Sequence, residues 1–216
     1  MKRIYLDYSA ATPVHPKVLQ AMTPYFEDIY YNPSALYLGA RQAKKALEDA
    51  RAQTAQILGA KPSEIIFTAG GTESTNLAIH GVMQFFAGAE MLVSAIEHDA
   101  VVKPASNYKN KLIKVTGEGR IDLESLTSQI TDNTVLISVM LANNEIGTIQ
   151  PIKDVVKLVA DIRQKRHASK NPMPLYVHTD ACQAPLYIDV HVAKLGVDIM
   201  TLNGGKMYGP KQSGIL

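Results

Sequence analysis

From Glu64 onward the chain alternates short apolar runs with stretches of helical rhythm, and no other feature constrains its fold as much. Ile65-Ile66-Phe67-Thr68, Met91-Leu92-Val93-Ser94, Leu112-Ile113-Lys114-Val115, Thr134 to Met140, Leu175-Tyr176-Val177-His178-Thr179 and Asp198-Ile199-Met200-Thr201-Leu202 read as strands. Runs that are apolar throughout mark strands buried on both faces. Between them, helices are expected from the Gly70-Gly71-Thr72 turn to about Phe86, over Ala100 to Tyr108, from Ile121 to about Ile130, and over Ile152 to Lys165. Strands and helices in this order build an α/β fold: a three-layer α/β/α arrangement around a parallel or mixed sheet.

Upstream of this region, Gly39 to Leu58 is expected to be a helix. Ala40, Ala43, Leu47, Ala50, Ile57 and Leu58 form its apolar stripe, and Gly59 stops it. Residues 1–16 read as extended, and Pro16 as the first residue of a helix to about Phe26. Ser213-Gly214-Ile215-Leu216 reads as the start of a further strand, so the chain is expected to stop in mid-element.

Composition narrows the functional classes. The 216 residues suffice for one large domain, and 46% hydrophobic content suits a chain with a real core. A net charge of +2 implies neither a nucleic-acid nor a membrane partner. Cys182 is the only cysteine, which rules out an internal disulfide and a CxxC site, leaves no metal site in view, and fits a cytoplasmic location. Lys2-Arg3 is followed by only Ile4, Tyr5 and Leu6 before Asp7, too short for a signal-peptide core. No run approaches the roughly 18 apolar residues of a membrane span.

In wound α/β sheets, ligands gather at the carboxyl ends of strands. After the first strand come Gly70, Gly71 and Thr72, a phosphate cradle at a helix start or else a tight turn capped by Thr72. After the second comes His98, suited to ring stacking or proton transfer, though a single loop histidine is more often plain surface. Asn143-Asn144-Glu145 follows the fourth, as ligand amides or an Asx turn. Asp180 follows the fifth, where a carboxylate can pair with a protonated pyridine nitrogen or cap the next turn. Cys182 beside it reads as a small buried filler. Asn203-Gly204-Gly205-Lys206 follows the sixth. Lys206 there is an ordinary loop lysine or the amine that binds pyridoxal phosphate as a Schiff base. Each signal is weak alone; five strand ends each bearing a suitable group are hard to obtain by chance.

In this order the motifs resemble the cysteine desulfurases, in the class V branch of fold-type I pyridoxal-phosphate enzymes. The resemblance runs through Tyr5 to Pro13, Asn32-Pro33-Ser34, Ile66 to Ala78, Glu97-His98, Asn143 to Gly147, His178 to Gln183 and Lys206 to Lys211. It implies that 17–216 is the cofactor-binding large domain, with its last strand incomplete. Residues 1–16 would belong with a small domain that this chain lacks. It implies pyridoxal 5'-phosphate as cofactor, with Lys206 as Schiff-base lysine and proton carrier and His98 stacked on the ring and assisting. Asp180 would meet the pyridine nitrogen, and Gln183 the ring hydroxyl. Gly71, Thr72, Asn203 and Gly205 would lie at the phosphate, and Asn144 near the substrate carboxylate. The implied reaction takes sulfur from L-cysteine, leaving L-alanine and an enzyme persulfide, in a homodimer. The sulfur would pass to an iron–sulfur scaffold or a tRNA-thiolation relay.

The sequence departs from the family in places. The usual Ser-x-His-Lys is here Asn203-Gly204-Gly205-Lys206, so a phosphate-binding histidine is replaced by glycine. The common histidine after Asn-Pro-Ser is absent; Tyr37 stands near that place, one residue closer to Gly39. The family's persulfide cysteine and substrate-binding arginine would lie after Leu216, so this chain alone is expected to be inactive. The alternatives are a selenocysteine lyase or another class V enzyme, and a non-catalytic dimerising scaffold.

Overall fold

The computed structural model describes residues 3–216; Met1 and Lys2, part of the expected extended segment, lie outside the described residues. Residues 3–15 run without regular structure, and Tyr5 Oη donates to the carbonyls of Asp7 and Ala11. The helix expected from Pro16 is split into α1 (Pro16–Met22) and α2 (Pro24–Glu27), because Pro24 supplies no N–H and restarts the helix behind Thr23. Next come α3 (Leu38–Leu58), β1 (Phe67–Thr68), α4 (Gly71–Phe85), β2 (Glu90–Ser94), α5 (Asp99–Ala105), β3 (Lys109–Ile113), α6 (Leu123–Gln129) and β4 (Thr134–Ser138). The chain continues through α7 (Ile152–Ala168), β5 (Tyr176–Asp180), α8 (Val192–Leu195), β6 (Ile199–Asn203) and β7 (Gly214–Ile215). Thr72 caps nothing: Gly70 occupies the N-cap of α4 with φ 151°.

Among the described residues, seven strands form one sheet in the order β1-β7-β6-β5-β4-β2-β3. β6, β5, β4, β2 and β3 are parallel, and β7 runs antiparallel to both neighbours. β1 therefore points the same way as β6, and the carboxyl ends of all six parallel strands reach one edge. Alternation along β2 serves two cores. Met91 and Val93 pack with Ile79 and Met83 of α4 and Val101 of α5, while Leu92 joins Val155 and Val159 of α7 on the other face. This is the expected three-layer α/β/α arrangement with a mostly parallel, mixed sheet.

Three expectations fail locally. The strand expected at 112–115 and read as buried is β3, Lys109–Ile113, an edge strand exposed at every residue but Ile113. Of the expected stripe of α3 only Ala40 and Leu58 are buried, joined by Ala55; Leu47 is 38% and Ile57 74% exposed, and the helix meets the main core through Ala55 and Leu58 near its C-terminal end. The first strand, expected to be buried, shrinks to two residues at the sheet edge, and Ile66 stays half exposed. Ile66 still exchanges backbone hydrogen bonds with Leu216 beyond β7. Among the described residues, no helix is long and apolar enough to cross a membrane.

Candidate active site

The common strand edge opens into a narrow slot. Gly71 and Thr72 after β1, His98 after β2, Asn144 after β4, Asp180 and Gln183 at and after β5, and Asn203 and Lys206 at and after β6 all line it. Gly205 lines the adjoining hollow of about 690 Å³, which shares Gly71, Thr72, Asn203 and Lys206 with the slot. Residues up to 135 positions apart in the chain (71 and 206) are thus brought to one place by the parallel register.

Each side chain has a local reason for its position. His98 caps α5: its Nδ1 accepts from the Ala100 N–H at 3.0 Å, which puts the ring proton on Nε2. Asn143 makes the Asx turn, accepting from Glu145 N at 2.8 Å and Ile146 N at 3.0 Å, and leaves Asn144 to face the slot. Asp180 is buried at the end of β5, and its Oδ1 accepts from Cys182 N at 2.9 Å. Lys206 ends a single helical turn, Gly204–Lys206, which Asn203 caps by accepting from Gly205 N at 2.9 Å. The Gly205 N–H is therefore already committed and offers nothing to a ligand. Gln183 donates Nε2 to the Ser9 carbonyl at 2.8 Å, which leaves its amide oxygen for the slot.

Buried polar groups surround the Asp180 end. His178 is fully buried; its ring nitrogens bond Ser138 Oγ at 2.8 Å and Thr201 Oγ1 at 3.0 Å across three adjacent strands. Burial pushes this imidazole down to about 4, opposed by Asp180, so it is neutral near pH 7. Glu97 is half-buried as a residue, but its Oε2 is sealed from solvent without a partner, while its other oxygen accepts from Met140 N. Burial, and then the nearby Asp180, push its carboxyl up to about 8. A neutral Glu97 adds no second negative charge beside Asp180. Burial likewise raises the Cys182 thiol well above its ordinary value, in keeping with a filler rather than a thiolate.

Sequence reasoning missed three neighbours of this site. Glu97 belongs to the Glu97-His98 stretch of the resemblance but was given no role, since an acid in a loop reads as solvated. Thr12 reaches the lysine turn from the far end of the chain: its hydroxyl donates to Gly205 O at 3.1 Å and accepts from Tyr208 N at 2.8 Å. Lys211 donates to the Thr12 carbonyl at 2.6 Å and lines the hollow. Among the described residues, no group of three or more His, Cys, Asp or Glu side chains is placed to hold a metal.

The structure fits a flat phosphorylated aldehyde. Gly71 lets the backbone approach closely, since an added Cβ would meet Cys182 Sγ at 2.7 Å. The first N–H groups of the 15-residue α4 open onto the hollow, and Lys206 and Asp180 line the slot beside it. Known proteins are similar to this chain. A cysteine desulfurase IscS of Dictyoglomus turgidum is 40% identical over all of this chain and 54% of its own length. A selenocysteine lyase of Rattus norvegicus is 36% identical over 97% of this chain and 54% of its own. A solved structure of SspA in complex with cysteine superposes with a TM-score of 0.90 at 34% identity, over 99% of this chain and 60% of that one. The chain thus spans about half the length of the curated relatives it matches. The aminotransferase class-V family model matches residues 4–216, and with that sheet, that strand-edge slot and that match the chain belongs to the class V aminotransferase family.

Proposed function

We propose that the protein to which this chain belongs is a pyridoxal-phosphate-dependent cysteine desulfurase, with 17–216 as its cofactor-binding domain and 1–16 allied to a smaller domain. One observation carries this reading: the candidate residues from five strand ends line a single slot and its adjoining hollow. Pyridoxal phosphate supplies an aldehyde for a lysine and a ring that withdraws electrons from a neighbouring carbon. Lys206 anchors it and carries the proton taken from the α-carbon of cysteine. Asp180 meets the ring nitrogen, and His98 covers the ring and assists proton transfer. Thr72 and the start of α4 hold the phosphate, and Gln183 and Asn144 orient the ring hydroxyl and the substrate carboxylate. The products are L-alanine and a persulfide on a cysteine other than Cys182, whose buried protonated thiol is a poor sulfur acceptor. The whole protein acts as a cytoplasmic homodimer that passes sulfur to an iron–sulfur scaffold or a tRNA-thiolation relay.

The likeness to a selenocysteine lyase at 36% identity supports a second reading, with selenocysteine as substrate on the same cofactor. Both readings share one test. Purified chain mixed with pyridoxal phosphate develops the visible absorbance of a lysine-linked ring, and Lys206→Ala abolishes it entirely. Absence of the band in the wild type, or its persistence in the variant, removes both readings.

A further inference from the structure

A phosphate monoester seated at the start of α4 brings close to two negative charges. The helix end offsets only about half of one. The hollow shows where the remainder can come from. Among the described residues its only basic side chains are Lys206 and Lys211, and Glu73 opposes them. Lys206 is occupied by the aldehyde. Gly205 has no side chain, and its N–H is held by Asn203 at 2.9 Å.

Lys211 is shaped to supply the missing charge. A Cβ built on Gly205 would lie 3.6 Å from Lys211 Cδ, so the lysine stem runs alongside the space that a side chain at 205 would enter. Its Nζ is anchored by the Thr12 carbonyl at 2.6 Å, and two of its three N–H donors remain. The backbone is bent to present it: Tyr208 at φ 60° and Gln212 at φ 56° are both left-handed without being glycine. Such residues cost about 1–3 kcal/mol each and persist where surrounding contacts hold them. Here the contacts are Thr12 Oγ1 on Tyr208 N and the His15 N–H on Tyr208 O at 2.9 Å.

We propose that Lys211 is the cation that binds the cofactor phosphate, in place of the side chain that Gly205 lacks. This rests on the cofactor reading above. It makes Lys211 a specificity residue for the phosphorylated over the unphosphorylated aldehyde.

The test compares pyridoxal phosphate with pyridoxal, which differ only in the phosphate. Visible absorbance of the lysine-linked ring gives a Kd for each with the purified chain. Lys211→Gln and Lys211→Met are expected to weaken pyridoxal phosphate about 10–100-fold, the range of a charge-assisted hydrogen bond, while changing pyridoxal less than about twofold. Lys211→Arg retains most of the discrimination. Adding Gly205→His to Lys211→Gln restores much of it, because the φ of Gly205 is not left-handed and the one tight contact of an added Cβ, Asn203 Oδ1 at 3.3 Å, is relieved by a small shift of the Asn203 amide. Unchanged discrimination in Lys211→Gln and Lys211→Met overturns the proposal. An equal loss for both aldehydes overturns it too, since Lys211 would then only shape the turn. A wild-type chain that shows no band with either aldehyde sinks the cofactor reading itself and this inference with it, a result distinct from the other two.

Discussion

The two ends of the slot are built by opposite means. Around Asp180 the polar groups are sunk in the sheet: His178 bridges Ser138 and Thr201, Thr179 bonds the Val139 carbonyl at 2.8 Å, and Glu97 is closed off behind them. Around Gly71 and Gly205 the lining is glycine backbone, an open hollow and an exposed lysine on a bent loop. The difference follows the chemistry each end is suited to. Controlling charge at a ring nitrogen needs a low dielectric and fixed partners, which a sheet core provides. Gripping a phosphate needs free N–H groups and close approach, which loops and a helix start provide. Mutations at the ring end should therefore appear in folding stability, and mutations at the phosphate end in ligand affinity.

Glu97 gives the largest expected effect and tests the first half of that statement. Its carboxyl titrates near 8 in the native state and near 4.5 when unfolded. Between those values the native chain keeps a proton that the unfolded chain has released, so stability falls as pH rises and levels off above about 8. His178, near 4 folded and 6.5 unfolded, has the opposite slope, and its share of stability is lost as pH falls from 6.5 toward 4. The two oppose each other in acid, and above pH 6.5 only Glu97 remains. Urea titrations of the cofactor-free chain should show a loss on the order of 2 kcal/mol between pH 6.5 and 8.5, nearly absent in Glu97→Gln. The same slope in both chains would place the titrating group elsewhere.

Gly71 is where the two ends touch. An alanine Cβ there would meet Cys182 Sγ at 2.7 Å and Asn203 Cβ at 3.4 Å. Gly71→Ala should therefore cost about 1–3 kcal/mol of stability by overpacking and also weaken pyridoxal phosphate. Removing the sulfur with Cys182→Ala in the same chain should recover most of the stability. If affinity returns with it, the phosphate end depends on how β5 is packed and the contrast between the ends softens. If stability alone returns, the cradle depends on the glycine itself and the contrast stands.

How much of this was legible in the sequence follows the same division. The sheet was legible because doubly buried strands must be apolar, and the strand-end candidates because parallel strands deliver their carboxyl ends to one edge. Strand order was not, and neither was the insertion of β7 between β1 and β6, since pairing is settled by contacts far apart in the chain. The exposed side of α3, with Ile57 at 74%, was misread because periodicity gives the apolar face but not what covers it. Glu97, Thr12 and Lys211 were hidden for a related reason: a Glu, a Thr and a Lys in loops carry no local mark of the neighbour that gives them meaning. By residue type alone Asn143 and Asn144 were equivalent, and only the resemblance singled out Asn144; the turn gives the physical reason, committing Asn143 to the backbone and leaving Asn144 in the slot.

Thr12 carries the smallest expected effect and the sharpest test of the second half. It is 2% exposed, although the segment around it is largely exposed, and its hydroxyl serves only the lysine turn, on Gly205 O and Tyr208 N. Thr12→Val keeps the volume, removes both bonds and leaves the Tyr208 N–H without its acceptor, a cost of about 1 kcal/mol. The Thr12 backbone bonds, from N to Gly205 O at 3.1 Å and from Lys211 Nζ to O at 2.6 Å, remain possible. The cost therefore falls on the turn that carries Lys206 and Lys211, not on the sheet. The expected result is a pyridoxal phosphate Kd raised about 3–10-fold, consistent with roughly 1 kcal/mol taken from the bound state. The urea midpoint should fall only by what about 1 kcal/mol accounts for, and the pH slope due to Glu97 should not change. A global loss of several kcal/mol would instead make the N-terminal segment part of the folding core, and the phosphate end would then be as deeply built as the ring end.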